Sequence, residues 1–327
     1  MGRGWVLALL AAGLAGALLL GLALGPVAVE PGQILDVLLG RGEDRVRRLI
    51  LDIRLPRVAL AVVVGGALAT AGAVFQALLR NPLADPYILG VSGGAAVGAV
   101  SVIVFGVTGV GWALTGGALL GAVLSMLLVL RIALSVGGAL DTRVLLLAGV
   151  IVGAFFNAVI LLLITFADAE SFRSAVFWMM GSLAGTGWTG VIGLALFVVP
   201  CVLVLFVLAR PFNVLATGEE TATYLGVPVE RVKGAAYFAA SLLVAATVAV
   251  AGIIGFVGLI VPHAVRMLWG GDHRLLLPAS FLGGAILLLL TDTLARTVAA
   301  PQELPTGVIT ALIGVPLFAV LLVRSSR

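Results

Sequence analysis

Long runs without charged residues dominate this sequence. They are the segments 4–29, 58–79, 87–130, 144–167, 174–209, 234–262, 275–291 and 304–323. A helix needs about 20 apolar residues to cross a bilayer, and several of these runs are long enough for two crossings. We therefore predict an all-α membrane protein, a polytopic bundle of ten transmembrane helices, near 5–25, 57–79, 87–105, 112–132, 144–167, 191–209, 234–253, 256–269, 275–297 and 306–323.

Glycine and proline divide the longest runs. The Gly-rich stretch 105–112 splits the run 87–130 into two helices. The run 234–262 gives one full helix and then a shorter or broken one, because Gly255, Gly258 and Pro262 follow closely. The stretch 177–188 is rich in glycine and tryptophan, and we predict an interfacial half-helix there instead of a crossing.

The composition agrees with a membrane protein. Of the 327 residues, 62% are hydrophobic and only 10% are charged, which excludes a soluble globular domain and intrinsic disorder. The single cysteine, Cys201, lies in an apolar run, so the sequence offers no disulfide framework and no cysteine zinc site. The net charge of +4 is scattered among loops, so we expect no nucleic-acid partner.

The positive charges predict an orientation. Ten crossings place both termini on one side, and that side carries eleven of the nineteen Lys and Arg residues, so we predict that it is cytoplasmic. The first apolar run is too long for a signal peptide and is expected to remain as a span. Six outer arginines lie within 41–57, which is either a solvated loop or a docking surface.

Motifs for chemistry are scarce. The chain has no Walker A, HExxH or GxSxG motif, so ATP hydrolysis and membrane enzymology are not predicted. Asp292 is the ionisable group placed within a predicted span, and Arg296 follows at i,i+4, which favours a structural intramembrane ion pair over a proton relay. Gln76 and Asn157 are interpreted as interhelical hydrogen-bonding residues in preference to cargo contacts.

The segment 211–231 is predicted to form an elbow on the cytoplasmic face. Glu219 and Glu220 open a short helix after Gly218, Gly226 ends it, and Pro228 is expected at N1 of a second short helix. A segment of this length exceeds an ordinary connection, which favours contact with a partner over an amphipathic helix resting on lipid.

Two further turns have strong sequence signals. Asn81 and Pro82 form a turn, and Asp85 with Pro86 is expected to cap the next helix, while Asp272 opens a later one.

Eight ordered motifs, taken together, resemble those of FecCD-type permeases, the transmembrane subunits of type II ABC importers for ferric siderophores, haem and cobalamin. These motifs are RLPR (54–57), QALLRNPLADPYILGVSGGA (76–95), LLLAGV (145–150), FWMMG (177–181), GEETATYLG (218–226), GFVGLIVPH (255–263), DHRLLLP (272–278) and ELPTGVITALIG (303–314). The resemblance covers nearly the whole chain and implies a single permease domain, residues 1–327, with the type II importer fold.

The resemblance also implies roles for individual residues. The elbow would couple the permease to a separate ATPase through Gly218, Glu219, Glu220, Ala222, Leu225 and Gly226. Arg54, Arg57 and Arg296 would dock an external binding protein, and Asn81, Leu83 and Thr142 would form a cytoplasmic gate.

The implied assembly is a homodimer with two ATPase subunits and a periplasmic or lipid-anchored binding protein, in the cytoplasmic membrane of a bacterium or archaeon. The chain itself would bind no cofactor and no metal, because ATP and Mg belong to the ATPase. A ferric siderophore is the expected cargo, with haem or cobalamin as alternatives. An ion-coupled secondary transporter using Asp292 remains the alternative of another class.

Overall fold

A computed structural model describes residues 2–107, 112–137 and 140–325 of the chain. Its α-helices are Arg3–Ala23 (α1), Pro31–Leu38 (α2), Asp44–Arg48 (α3), Leu55–Leu78 (α4), Val91–Val104 (α5), Ala113–Gly137 (α6), Thr142–Thr165 (α7), Ala169–Met179 (α8), Trp188–Val207 (α9), Ala209–Leu215 (α10), Glu219–Tyr224 (α11), Val229–Ala251 (α12), Val257–Trp269 (α13), His273–Ala295 (α14) and Thr306–Ser325 (α15). A π-helical turn, Leu49–Arg54, leads into α4, and a 3-10 turn, Pro86–Leu89, precedes α5.

The predicted all-α membrane fold is confirmed. Each of the ten predicted spans coincides with a helix: α1, α4, α5, α6, α7, α9, α12, α13, α14 and α15. Within the described part of the chain, seven helices are long and apolar enough to cross a membrane, whereas α5, α13 and α15 are shorter as apolar helices. The centre of the predicted turn at 105–112 falls on residues 108–111, which lie outside the described residues.

Three helices form the centre of the bundle. The most apolar window of the segment containing α4 is 83% buried inside the chain, and those of α12 and α14 are 72% and 61% buried. The corresponding windows of α1 and α7 are each only 22% buried, so these helices lie at the periphery. All these helices are predominantly apolar, so hydrophobicity alone does not distinguish the central helices from the peripheral ones.

Glycine allows α4 to approach α14 closely. A Cβ atom on Gly65 would clash with the backbone carbonyl oxygen of Gly284, and one on Gly284 would clash with the carbonyl of Gly65. Gly94 of α5 and Gly121 of α6 form an equivalent reciprocal contact. Small residues at such crossings bring helix backbones together in membranes, where the hydrophobic effect contributes little to helix association.

The long run 234–262 is divided as predicted. Helix α12 ends at Ala251, α13 begins at Val257, and the residues between them are not helical. The Tyr87 hydroxyl donates to the carbonyl of Ile254 and accepts from its amide, so the non-helical backbone keeps hydrogen-bond partners. Non-helical backbone is tolerated at membrane depth where other protein groups form hydrogen bonds with its amides and carbonyls.

The predicted half-helix at 177–188 is wrong. Helix α8 spans Ala169–Met179, and the chain then turns at Gly181, which adopts a φ of 69°. The Ser182 amide bonds to the carbonyl of Ala251, and the Gly181 carbonyl accepts from the amide of Gly307. These two contacts hold an extended loop across the start of α15, in place of a helix.

The prediction of a second short helix in the elbow is also wrong. Pro228 is the N-cap residue, one position earlier than expected, and the helix that follows it is the full-length α12. The elbow therefore consists of α10, the single-turn α11 and the first turn of α12. It is joined rigidly to one of the central helices of the bundle.

Candidate coupling, gating and docking sites

The elbow presents an apolar tip. Gly218 and Gly226 bracket α11 with φ values of 126° and 82°, which L-residues with side chains rarely adopt. Between them Ala222 is fully buried, whereas Tyr224 and Leu225 are 90% and 66% exposed. The amide of Val227 bonds to the carbonyl of Ala222 and closes the turn. The turn therefore fixes two large apolar side chains outside the bundle.

Glu219 connects α11 to its surroundings. Its carboxylate lies 3.2 Å from Nη2 of Arg80 and 3.1 Å from Nζ of Lys233. Lys233 also lies 3.6 Å from Glu230, and its side chain is only 5% exposed. Glu220 is exposed, and the described residues give it no ion pair. The two glutamates, which the sequence treated as equivalent, therefore have different environments.

The predicted gate residues meet at the ends of two helices. The Asn81 side chain accepts a hydrogen bond from the amide of Leu83 at 2.9 Å, which shapes the turn after α4. The Thr142 hydroxyl at the start of α7 donates to the carbonyl of Leu78 at 3.2 Å. Leu83 is 38% exposed. The structure thus brings these three residues to one face, the face that carries the elbow, and their role as a gate stays a prediction.

A buried charge cluster lies at the opposite end of α4 and α14. Asp292 is fully buried and accepts from Arg57 Nη2 at 2.9 Å and from Arg57 Nε at 3.0 Å. Thr306 donates to the same carboxylate at 3.1 Å, and Glu303 accepts from Arg57 at 2.8 Å. The Nε atom of Arg296 lies 3.5 Å from Asp292. The spacing in the sequence predicted Arg296 as the partner of Asp292, but the closer partner is Arg57, which forms a bidentate ion pair with it.

Two of the predicted docking arginines complete the end of α1. Arg54 donates to the carbonyls of Leu22, at 2.6 Å, Ala23 and Val27. Arg296 donates to the carbonyl of Gly21 at 2.5 Å. The last carbonyls of a helix have no partner within the helix and attract cations. These guanidinium groups therefore stabilise a helix end.

The predicted docking role of the three arginines stays a prediction. Arg54, Arg57 and Arg296 are 3%, 8% and 3% exposed, so a partner could not grip them without some rearrangement. They line an open cavity of about 170 Å³ together with Glu303 and Val27. In the sequence, Arg54 lies in a predicted outer loop, whereas Arg57 and Arg296 lie at the outer ends of predicted spans, so no local pattern indicated that all three are buried.

The exposed arginines of the outer segment lie on α3 and just before it. They are Arg41, Arg45, Arg47 and Arg48, and the acidic residues Glu43, Asp44 and Asp52 lie exposed among them. The segment is therefore mixed in charge as well as basic.

Aspartate N-caps fix the starts of several elements, as predicted for Asp85 and Asp272. The Asp85 carboxylate accepts from the amide of Tyr87 at 2.8 Å, and Asp272 accepts from the amide of Arg274 at 3.0 Å. Burial raises the pKa of Asp85 above its ordinary value, although the hydrogen bond from Tyr87 opposes this. For Asp272, partial desolvation is outweighed by hydrogen bonds from Asn213 and Arg274, so its pKa is lowered.

The two polar residues predicted to link helices differ. Gln76 donates to the carbonyl of Leu259 at 3.2 Å and accepts from Arg266 at 3.0 Å, so it connects α4 to α13. Asn157 instead lies exposed on the outer surface of α7, among large apolar side chains that include Phe155 and Leu161.

An open apolar cavity adjoins the extended loop after α8. It has a volume of about 590 Å³ and is lined by Met179, Met180, Phe256 and Leu312, among other apolar residues.

These features define a helical, multi-pass membrane protein with an exposed elbow on one face. Residues 13–324 match the model of the FecCD transport family, and the chain belongs to that family. It is therefore the permease subunit of an ABC importer.

Curated relatives cover most of the chain. The hemin transport system permease protein HmuU of Yersinia pestis is 42% identical over 86% of this chain and 85% of its own length. The vitamin B12 import system permease protein BtuC of Salmonella typhi is 41% identical over 95% of this chain and 92% of its own. The uncharacterized ABC transporter permease protein YvrB of Bacillus subtilis is 41% identical over 88% and 82%.

Solved structures agree on the fold. A structure assigned to the metal-chelate type of ABC transporter, in an inward-facing conformation, aligns with a TM-score of 0.90 at 34% identity, covering 98% of this chain and 99% of that chain. PsaBC from Streptococcus pneumoniae, solved in complex with Fab, aligns with a TM-score of 0.59 at 16% identity and shows the fold alone, covering 88% of this chain and 95% of its own.

Proposed function

We propose that this chain is one half of a homodimeric permease that imports a metal chelate, driven by two ATPase subunits that bind the elbow. A binding protein would deliver the cargo on the outer side. Each chain would contribute a single permease domain, and the cargo would pass between the two copies. ATP and Mg would be bound by the ATPase subunits.

The exposed tip of the elbow is the observation that carries this proposal. Tyr224 and Leu225 are held outside the bundle by two glycines in unusual conformations. A large apolar side chain fixed on a polar turn contributes nothing to the fold of the isolated chain, whereas it would fill a groove on a partner protein. The tip therefore supports docking to a separate subunit over a resting position on lipid.

We further propose that the elbow face is cytoplasmic, in the cytoplasmic membrane of a bacterium or archaeon. Arg3, at the start of α1, pairs with Asp272, which also accepts from Asn213 of α10. The N-terminal end of α1 therefore lies on the elbow face. The excess of Lys and Arg that the sequence assigns to this side supports a cytoplasmic location.

Leu225→Asp tests the docking step. In the transporter co-expressed with its own ATPase subunit, we expect this variant to insert and unfold like the unchanged permease but to co-purify with much less ATPase. Val298→Asp is the matched control, because Val298 is 70% exposed and lies near the opposite end of α14. Retention of normal ATPase binding by Leu225→Asp would contradict the docking proposal.

The cargo is proposed as a ferric siderophore, with haem or cobalamin as alternatives. Relatives named for hemin and vitamin B12 import, and a metal-chelate type structure, support the chelate class. The apolar cavity beside Met179 and Leu312 would suit the exterior of a chelate, whose metal is already coordinated. Uptake into proteoliposomes containing the whole transporter should be measured with each of the three cargoes, and uptake of none would contradict the class.

A further inference from the structure

The first branch of a polar network joins the elbow to the turn after α4. Glu219 lies in the first turn of α11, and its Oε1 atom is 3.2 Å from Nη2 of Arg80. Arg80 is followed directly by Asn81, whose side chain shapes the turn to Leu83. Any displacement of α11 therefore acts on the turn that carries two of the three predicted gate residues.

A second branch leads to the third gate residue. The Oε2 atom of Glu219 lies 3.1 Å from Nζ of Lys233, which is also 3.6 Å from Glu230. The other oxygen of Glu230 accepts from the amide of Leu140 at 3.0 Å, two residues before Thr142. Both sides of the predicted gate are thus connected to the same carboxylate.

The Thr142 hydroxyl closes the network into a ring. It donates to the carbonyl of Leu78, at the end of α4 and two residues before Arg80. Within this ring the Lys233 ammonium is nearly buried between Glu219 and Glu230. Removing the partner of a buried charge strongly destabilises a protein, because the charge is left uncompensated. The Lys233 ammonium therefore needs these carboxylates nearby, and this requirement holds Glu219 and Glu230 beside it.

The backbone at Arg80 gives independent support. Arg80 has a φ of 46°, in the left-handed region, immediately after the C-cap of α4. Glycine is the usual residue at such a helix end, because side chains are strained there. Glycine would suit the backbone of this turn better than arginine. The contact of the Arg80 side chain with Glu219 therefore explains why an arginine is found there.

We propose that Glu219 is a positioning residue that transmits movement of the elbow to both sides of the gate through Arg80 and Lys233, and that it does not itself contact the ATPase. The proposal rests on the function proposed above. The docked tip, Tyr224 and Leu225, would move with the ATPase, and Glu219 at the other end of the same short helix would pull the two gate segments together. A hydrogen-bond and ion-pair network of this kind can couple two sites, here the docked tip and the gate, when both sites shift the same equilibrium between two arrangements of the network.

A double-mutant cycle tests the first branch. The whole transporter is reconstituted in proteoliposomes, and cargo uptake per ATP hydrolysed is measured for Arg80→Gln, Glu219→Gln and the double variant. We expect each single variant to lower this ratio roughly three- to tenfold and the double variant to be no worse than Glu219→Gln alone, because Glu219→Gln already removes the contact with Arg80. Arg80→Lys should restore most of the ratio. Arg131→Gln is the control, because Arg131 is an exposed basic residue on α6, outside the elbow, and this variant should match the unchanged transporter.

Arg80→Gly separates coupling from stability. Glycine relieves the backbone strain but removes the contact with Glu219, so we expect a permease at least as stable to heat whose uptake per ATP is as low as that of Arg80→Gln. A purely structural role for Arg80 predicts the opposite, with normal coupling in Arg80→Gly.

ATPase binding distinguishes the remaining outcomes. Glu219→Gln should co-purify with as much ATPase as the unchanged permease, and loss of binding would show that Glu219 is a docking residue and overturn the proposal. Additive effects in the cycle, or unchanged coupling in both single variants, would also overturn it. Failure of the proposed function would be seen separately, as an unchanged transporter that shows no ATP-dependent uptake.

Discussion

At the scale of single residues, the buried cluster around Asp292 shows how a charge is accommodated inside an apolar bundle. A carboxylate at this depth is costly unless its oxygens are paired. Arg57 supplies two donors and Thr306 a third, and Arg296 lies nearby. Three hydrogen bonds and a nearby guanidinium therefore compensate the charge of Asp292, and its role as a structural ion pair stays a prediction.

Removing this charge should destabilise the protein. In Asp292→Asn, the guanidinium of Arg57 loses its buried counter-charge and keeps only the partly exposed carboxylate of Glu303, and we expect a loss of about 3–5 kcal/mol of stability. Glu303→Gln is the control, because Glu303 is 39% exposed and its pair should contribute less than about 1 kcal/mol. Thermal unfolding in detergent would measure both, and equal stability losses for the two variants would contradict this account.

The lowered pKa of Asp272 should make the stability of the folded protein depend on pH. Its folded-state pKa is lowered, so its contribution to stability is present above the ordinary aspartate pKa, about 4, and is lost as the pH falls through the lower folded value. Asp272→Asn keeps an N-cap side chain but cannot titrate. Unfolding curves at a series of pH values between about 2 and 7 should therefore converge for the two proteins at the acid end. Parallel curves across this range would be inconsistent with the assignment.

At the scale of elements, the packing of α4 on α14 depends on the absence of side chains at one crossing. Gly65 and Gly284 each face the other's carbonyl, and neither backbone can move without disturbing the most buried helices of the bundle.

Gly65→Ala should be destabilising although alanine favours helices. The added Cβ must push against backbone, and overpacking of this kind costs about 1–3 kcal/mol. Gly16→Ala in α1 is the matched control, because no atom lies within 4 Å of its added Cβ and the higher helix propensity should leave stability unchanged or improved. Thermal unfolding of the two variants would check this, and comparable stabilities would show that the crossing adapts.

At the scale of the whole molecule, the ten spans could be predicted because each depends on a local run of apolar residues. The N-caps Asp85 and Asp272 were predictable for the same reason. The pairing of Arg57 with Asp292 joins residues 235 positions apart, and no local pattern indicates which of several arginines a buried carboxylate will meet. The loop after α8 was misassigned because its partners, Ala251 and Gly307, lie on distant helices.

The exposed face of α7 indicates where two copies of the chain would contact each other in the proposed homodimer. Asn157 is a polar side chain on an otherwise apolar, outward surface of a membrane helix, where contact with lipid alone is unfavourable. We expect it to lie near its counterpart across the two-fold axis of the proposed homodimer.

Cysteine cross-linking tests this arrangement. Because Cys201 is the single native cysteine, Cys201→Ser gives a clean background. In native membranes, Asn157→Cys should then form oxidised dimers, whereas Leu196→Cys on α9, which is 71% exposed, should not. Cross-linking of Leu196→Cys in preference to Asn157→Cys would place the dimer interface elsewhere.

The joint between α4 and α14 has a mechanical consequence. These helices are fixed to each other at the glycine crossing and again near one end through Arg57 and Asp292. We therefore expect the two helices to move together as one rigid unit during a transport cycle. We expect rearrangement during transport to occur around this pair of helices, with bending at the non-helical backbone between α12 and α13.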